Sequence, residues 1–131
     1  TSCAMRQTHL PAILSQMPTE VQNGIREVNK LTSAGNQSAT INTTADKLFL
    51  LSEIEIFGSV SYSKSGEGTQ YDYYKAGNSK VKNYNGSANN WWERSPFGSG
   101  STYFCVVNSY GNYAYYISAS IAAGAAFGFC F

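Results

Sequence analysis

The chain has 131 residues and a formal net charge of +1, with 43% hydrophobic but only 13% charged side chains, about half the ~25% of an ordinary domain. That length makes a single domain, residues 1–131, able to bury roughly two-thirds of its unfolded surface. The sparse, scattered basic residues give no electrostatic footprint for nucleic acid.

In chain order, Leu10, Ile13, Leu14 and Met17 stand at helical spacing and predict an amphipathic helix over roughly residues 3–16. Pro18-Thr19-Glu20 suits the start of a second, short helix whose end Gly24 leaves unclear. Residues 33–45 read as a polar loop, and residues 47–51 (KLFLL) as a short buried strand. Ser52 and Glu55 form the S-x-x-E signature of a capping box, so a brief helix should run to about residue 57. A Gly- and Ser-rich loop follows over residues 58–70, then one helical turn over 71–76 and loop again over 83–90. From Trp91 the pattern turns to strand: residues 102–108 and 113–118 are β-rich around a turn at 109–112. Residues 124–131 place Phe127, Phe129 and Phe131 at period two, which predicts a strand with one face in the core. The expected class is α+β, N-terminal helices followed by a C-terminal antiparallel sheet. Trp91 and Trp92, adjacent on a strand, should point to opposite faces and anchor the core, with Trp91 or Trp92 sharing one core with Phe127 and Phe129. Stacking of the paired tryptophans on sugar rings is the weaker alternative.

Chemistry is sparse. His9, the single histidine, falls on the first helix and reads as a surface or packing residue. No hydrolase, metalloprotease or phosphate-loop motif occurs, so no catalytic residue, metal site or cofactor is expected. Among the acids only Glu53 and Glu55 lie close together, too few carboxylates for a calcium cage. Glu93 and Arg94 are expected to form a structural ion pair. Cys3, Cys105 and Cys130 lack metal-ligand spacing; Cys105 and Cys130 read as small buried apolar residues, and one disulfide plus a free thiol stays open. Residues 113–131 carry no charge, yet tyrosines, serines and glycines interrupt them and no Lys or Arg flanks them, so strands explain the run better than a membrane span. Thr1 with no charged-then-apolar leader behind it reads as a fragment or a processed form.

The most informative stretch is residues 97–131. It has no charged residue and holds five of the ten tyrosines, set among Ser, Asn, Gly and Ala. Tyr beside small polar residues is the composition of an adaptable binding surface, because Tyr offers broad amphipathic contact at low entropic cost. Residues 1–96 then form a scaffold and 97–131 a display region.

Three segments in this order, L-F-L-L-S-x-x-E (48–55), W-W-E-R-S-P (91–96) and the closing G-A-A-F-G-F-C-F (124–131), resemble a C-type-lectin-fold domain of the group that includes sulfatase-modifying-like proteins and domains frequent in gut bacteria and their phages. The early S-C-A-M-R followed by a helix fits as well, and the resemblance covers nearly the whole chain, with the usual opening strand upstream of Thr1. Within that group the chain looks like a variable protein of a diversity-generating retroelement. Such systems turn asparagine AAY codons into any NNY codon, a set without Lys, Glu, Gln, Met or Trp, and none of those five occurs from Phe97 onward.

The resemblance implies framework positions at Phe104, Cys105, Val107, Asn108, Gly111, Gly124, Phe127, Gly128 and Phe129. It implies variable, ligand-binding positions at Tyr103, Val106, Tyr110, Tyr113, Tyr115, Tyr116, Ser118, Ser120 and Ile121. The function it implies is non-enzymatic: receptor binding or adhesion on a phage tail (virion) or a cell surface, toward a protein or glycan ligand, without membrane insertion and with homo-oligomerisation left open. The alternatives are a structural tail-fibre or surface-protein module with the tyrosines packed between subunits, and an oxidase of the formylglycine-generating kind using Cys105 and Cys130.

Overall fold

A computed structural model describes residues 3–131, without the side chains of Ala114 and Tyr115. The expected display position Tyr115 therefore lies outside the described side chains. Helices occupy the first part of the chain and strands dominate the rest, a small mixed helix-and-strand protein with several small sheets.

The N-terminal segment opens with a π-helical turn, Met5–His9, that runs into α1 (Leu10–Ser15), and α2 follows at Thr19–Gly24. Leu10 is buried against Ile25 and Leu48, with Met5, Ile13, Leu14, Met17 and Val21 packed around them, so the helical stripe covers one end of the sheet strands. His9 is exposed on the π-helical turn.

The polar loop expected over residues 33–45 is loop only over 34–40: Ser33 ends β1 (Val28–Ser33) and 41–45 belong to β2 (Ile41–Asp46), and the two pair antiparallel as a hairpin. Its Thr, Ile and Val residues are β-branched and fit a pleated, half-buried surface although they are not uniformly apolar. Val28, which continues the helical spacing of α2, is the first residue of β1. A second correction is the segment 83–90. Lys82–Tyr84 (β4) and Ser87–Asn89 (β5) form a hairpin around Asn85-Gly86, both at positive φ, the two-residue turn that matches strand twist.

The other local expectations hold. β3 (Phe49–Leu50) is buried, and α3 (Glu53–Phe57) carries a complete capping box: Ser52 accepts from the Glu55 N–H while the Glu55 carboxylate accepts from the Ser52 N–H. α4 (Asp72–Lys75) is a single turn. β6 (Trp91–Pro96), β7 (Tyr103–Val107) and β8 (Tyr113–Ser118) follow, and Trp91 and Trp92 do part to opposite sides. Trp92 packs with Leu50 and Val106, whereas Trp91 packs with Ile56, Tyr74 and Val107.

The C-terminal segment departs from the single strand expected. It breaks into β9 (Gly124–Ala125), parallel to β6, and β10 (Phe127–Gly128), antiparallel to β3, and then bridges Cys130 to Arg26. The central sheet has the order β8-β7-β6-β9 and is thus mixed rather than wholly antiparallel. Because the segment changes partners every two residues, its period-two side chains do not share one environment. Phe127 packs against two core clusters, but Phe129 is 39% exposed and Phe131 65%, so the expected burial of Phe129 does not occur. Cys105 is buried as expected; Cys130 is exposed, and all three cysteines are free.

Candidate functional site: an aromatic face on a buried carboxylate frame

The β7–β8 ladder decides which expected display residues can share a surface. Its register opposes Tyr103 to Ser118, Cys105 to Tyr116 and Val107 to Tyr113, which places these pairs on one side of the sheet. Phe104, opposed to Ile117, and Val106 alternate to the other side. The register shifts between Cys105 and Val106, with Tyr115 as the extra residue of the bulge. Val106 is completely buried between Trp92 and Leu50. Its expected place among the ligand-binding positions is therefore corrected: pleating turns it into the core, where a random change would open a cavity.

Four rings meet at the Tyr103 end of the first of these sides, where Cys105 and Val107 further along are buried, Val107 against Trp91, Ile56 and Tyr74. Tyr116 stacks on Phe97 with centroids 3.6 Å apart, and Tyr103 meets Tyr116 edge-on at 5.1 Å. Tyr62, from the loop after α3, closes the group edge-on to Tyr116 at 6.3 Å. Tyr103 and Tyr116 keep 39% and 37% of their surface in solvent, so the cluster is an open ledge rather than a core. Ser118 stands beside Tyr103, its hydroxyl 2.9 Å from that of Ser120, and Ile121 is exposed on the following turn. At the opposite end of β8, Tyr113 lies stacked on Phe57 at 3.8 Å with its hydroxyl 2.7 Å from Ser59, so it is half committed to the scaffold. Tyr110 projects from the β7–β8 turn with 83% of its surface exposed. That turn is fixed from within: the Asn108 carboxamide oxygen accepts from the backbone N–H of Tyr110 and of Asn112, and Gly111 sits at φ +79° against Val81. The structure thus brings Tyr103, Tyr116, Ser118 and Ser120 together, leaves Tyr110 and Ile121 at separate tips, and removes Val106. Tyr62 and Phe97 are the ring partners that the sequence did not single out; the only signal for Tyr62 is an aromatic inside a Gly- and Ser-rich loop.

What fixes the loop carrying Tyr62 is a set of buried acids. The Glu53 carboxylate, at the first turn of α3, accepts hydrogen bonds from the backbone N–H of Ser61 (3.1 Å), Tyr62 (3.0 Å) and Ser63 (2.8 Å), and from the Ser63 hydroxyl (2.6 Å). Glu67 accepts from the Ser33 N–H at 2.7 Å and from the Ser95 hydroxyl, which in turn accepts from the Glu53 N–H. Burial pushes the Glu67 carboxyl above its ordinary range, with the bonds from Ser95 and Ser33 offsetting only part of the effect. Glu55 is the opposite case. Burial raises it, but Arg94 and Lys30 outweigh burial and hold the carboxylate below its ordinary range.

The ion pair expected between Glu93 and Arg94 does not form. Arg94 binds Glu55 and the carbonyls of Leu31, Leu50 and Glu67, while Glu93 turns toward Glu53 and Glu67. Neighbours in a strand point to opposite faces, which separates them. Glu93 is buried, its Oε2 has no hydrogen-bond partner among the described residues, and burial with the charges of Glu53 and Glu67 raises its carboxyl well above the ordinary range. Burial, together with nearby Glu93, Glu53 and Glu67, pushes the Cys105 thiol up, so Cys105 stays a protonated thiol rather than a reactive thiolate.

Among the described residues, no group of three or more His, Cys, Asp or Glu is placed to hold a metal ion, and no helix is long and apolar enough to cross a membrane. Over residues 2–125 the chain matches a family described as a domain of unknown function (DUF6273), and it belongs to that family. No curated protein and no solved structure matches it.

Proposed function

We propose that this member of the DUF6273 family is a non-enzymatic ligand-binding domain. In this reading it has a C-type-lectin-like fold and serves as the variable protein of a diversity-generating retroelement, presenting its Tyr- and Ser-rich face from a phage tail or a cell surface to a protein or glycan. The observation that carries the reading is the open ring ledge of Phe97, Tyr103 and Tyr116, mounted on a scaffold whose loops are tied down by buried carboxylates. Exposed aromatic patches of this kind mark interaction sites, and their surroundings here carry little charge that would dictate one partner. The absence of NNY-excluded residues from Phe97 onward supplies the link to a retroelement.

Copies of the gene from one population test this reading together with the structure. Substitutions should concentrate after residue 97 at Tyr103, Tyr110, Tyr113, Tyr116, Ser118, Ser120 and Ile121 and spare the buried Val106. A reverse transcriptase and an A-rich near-repeat should lie beside the gene. An even spread of substitutions, or frequent replacement of Val106, contradicts the proposal.

A further inference from the structure

On the side of the sheet that Trp92 and Phe104 face, a groove of about 720 Å³ opens between the N-terminal helical segment, the β1–β2 hairpin and the ends of β6 and β7. That volume lies within the roughly 300–1,000 Å³ of small-molecule sites. Its two walls differ in chemistry. One is apolar, built from Leu48, Leu50, Trp92 and Phe104, with the half-exposed Tyr103 at the mouth. The other is a row of uncharged hydroxyl and amide groups on one face of the hairpin, where the register opposes Thr32 to Asn42 and brings Thr44 to the same side. Thr44 is engaged, donating to Asp46 at 2.6 Å. Thr32 and Asn42 are half-buried, and their side chains have no hydrogen-bond partner among the described residues.

The two arginines lining the groove are committed elsewhere. Arg6 pairs with Asp46 at 2.7 Å, and Arg94 is held by Glu55 and backbone carbonyls. Neither arginine is left over for an anionic ligand, and the Glu93 carboxyl in the same lining disfavours one. An extended peptide is also poorly served: β1 is paired with β2 on one side, and on the other the Arg94 guanidinium already occupies the Leu31 carbonyl at 3.0 Å, so the strand offers no continuous ladder to a second chain. What fits is a neutral ligand with one apolar face and one edge of hydroxyls.

We propose that this groove is a saccharide-binding site. A neutral sugar ring lays its C–H face against Trp92, Phe104 and Tyr103 and bonds its hydroxyls to Thr32 and Asn42. The site goes beyond the aromatic ledge, which lies on the other side of β7 and shares only Tyr103 with it.

The test titrates the protein with maltotriose, cellotriose and triacetylchitotriose, read by tryptophan emission and by saturation-transfer NMR. Trp91 is sealed in the opposite core with its indole N–H bonded to the Lys80 carbonyl, so Trp92 is the reporting ring. At least one trisaccharide should bind saturably and shift the emission. Asn42→Ala and Thr32→Val should each weaken it roughly tenfold, the equivalent of one lost hydrogen bond of about 1.4 kcal/mol. Tyr110→Ser, distant from the groove, should leave this binding intact even where it abolishes recognition by the aromatic face. The proposal is overturned if none of the three sugars binds at millimolar concentration. It is equally overturned if binding ignores both substitutions, or if a capped neutral peptide displaces the sugar from the groove.

Discussion

Replacing Glu53 with Ala tests whether buried carboxylates hold the aromatic face in place. The substitution removes one acceptor that four donors of residues 61–63 share, three of them backbone N–H groups. A hydrogen bond to a charged group contributes about 1.5–3 kcal/mol. The four act as one unit and do not add, so the loss should resemble the ~3–5 kcal/mol of breaking one partner from a buried charged pair. Relief of the repulsion toward Glu93 offsets part of this loss. For a domain of this size each kcal/mol moves Tm by roughly 3–6 °C, which puts the fall at about 9–30 °C. Thermal melting by circular dichroism measures it, and hydrogen exchange should show the amides of 61–63 opening while those of β6 and β7 stay protected. A Tm within about 2 °C of the parent would refute the frame, since that equals a surface substitution of ~0.5 kcal/mol.

Glu93→Gln should flatten the dependence of stability on pH. The folded carboxyl is raised above its ordinary value of 4.5, so its contribution is complete below that value and is lost as pH rises toward the folded pKa. Melting series from pH 5 to 9 should show the parent losing stability faster than the variant, and parallel curves would contradict a raised Glu93 carboxyl. Trp92→Ala should cost roughly 3–5 kcal/mol, whereas Phe129→Ala, at an exposed position, should cost well under ~1.5 kcal/mol; equal losses on denaturant unfolding would place Phe129 back in the core. Val106→Asn should fail to fold or melt far lower while Ile121→Asn melts like the parent, which separates the buried from the displayed positions of the C-terminal region.

How much of this was legible follows from where the signals are local. The capping box at Ser52 and Glu55 names its own geometry, and the opposed faces of Trp91 and Trp92 follow from strand pleating alone. The β1–β2 hairpin was hidden because its strands alternate Thr and Asn with Val, Leu and Ile, so polarity suggested loop where β-branching meant strand. The Asn85-Gly86 turn is legible in the sequence as a hairpin signal. Phe129 shows the limit of periodicity: three aromatics at period two share a face only if the strand keeps one partner, and here the segment passes from β6 to β3 to a bridge with Arg26. Val106 shows the same limit for the site, since composition marks a region as Tyr-rich but only the register tells which residues turn outward. The partnership of Arg94 with Glu55 rather than Glu93 is a long-range pairing with no trace in local sequence.

The central claim, that the tyrosines of this face serve binding rather than folding, is tested most directly by changing Tyr103, Tyr110 and Tyr116 to Ser together. Ring contacts at half-exposed positions contribute about 0.5–1.5 kcal/mol each, whereas binding energy concentrates in a few Tyr-like anchors. Melting of the triple variant beside its binding to glycan arrays and panels of whole bacterial cells gives the comparison. The triple variant should stay folded, melt well above Trp92→Ala and lose the parent's binding to whole cells. A variant that unfolds like Trp92→Ala, or one that keeps the parent's binding, would contradict it.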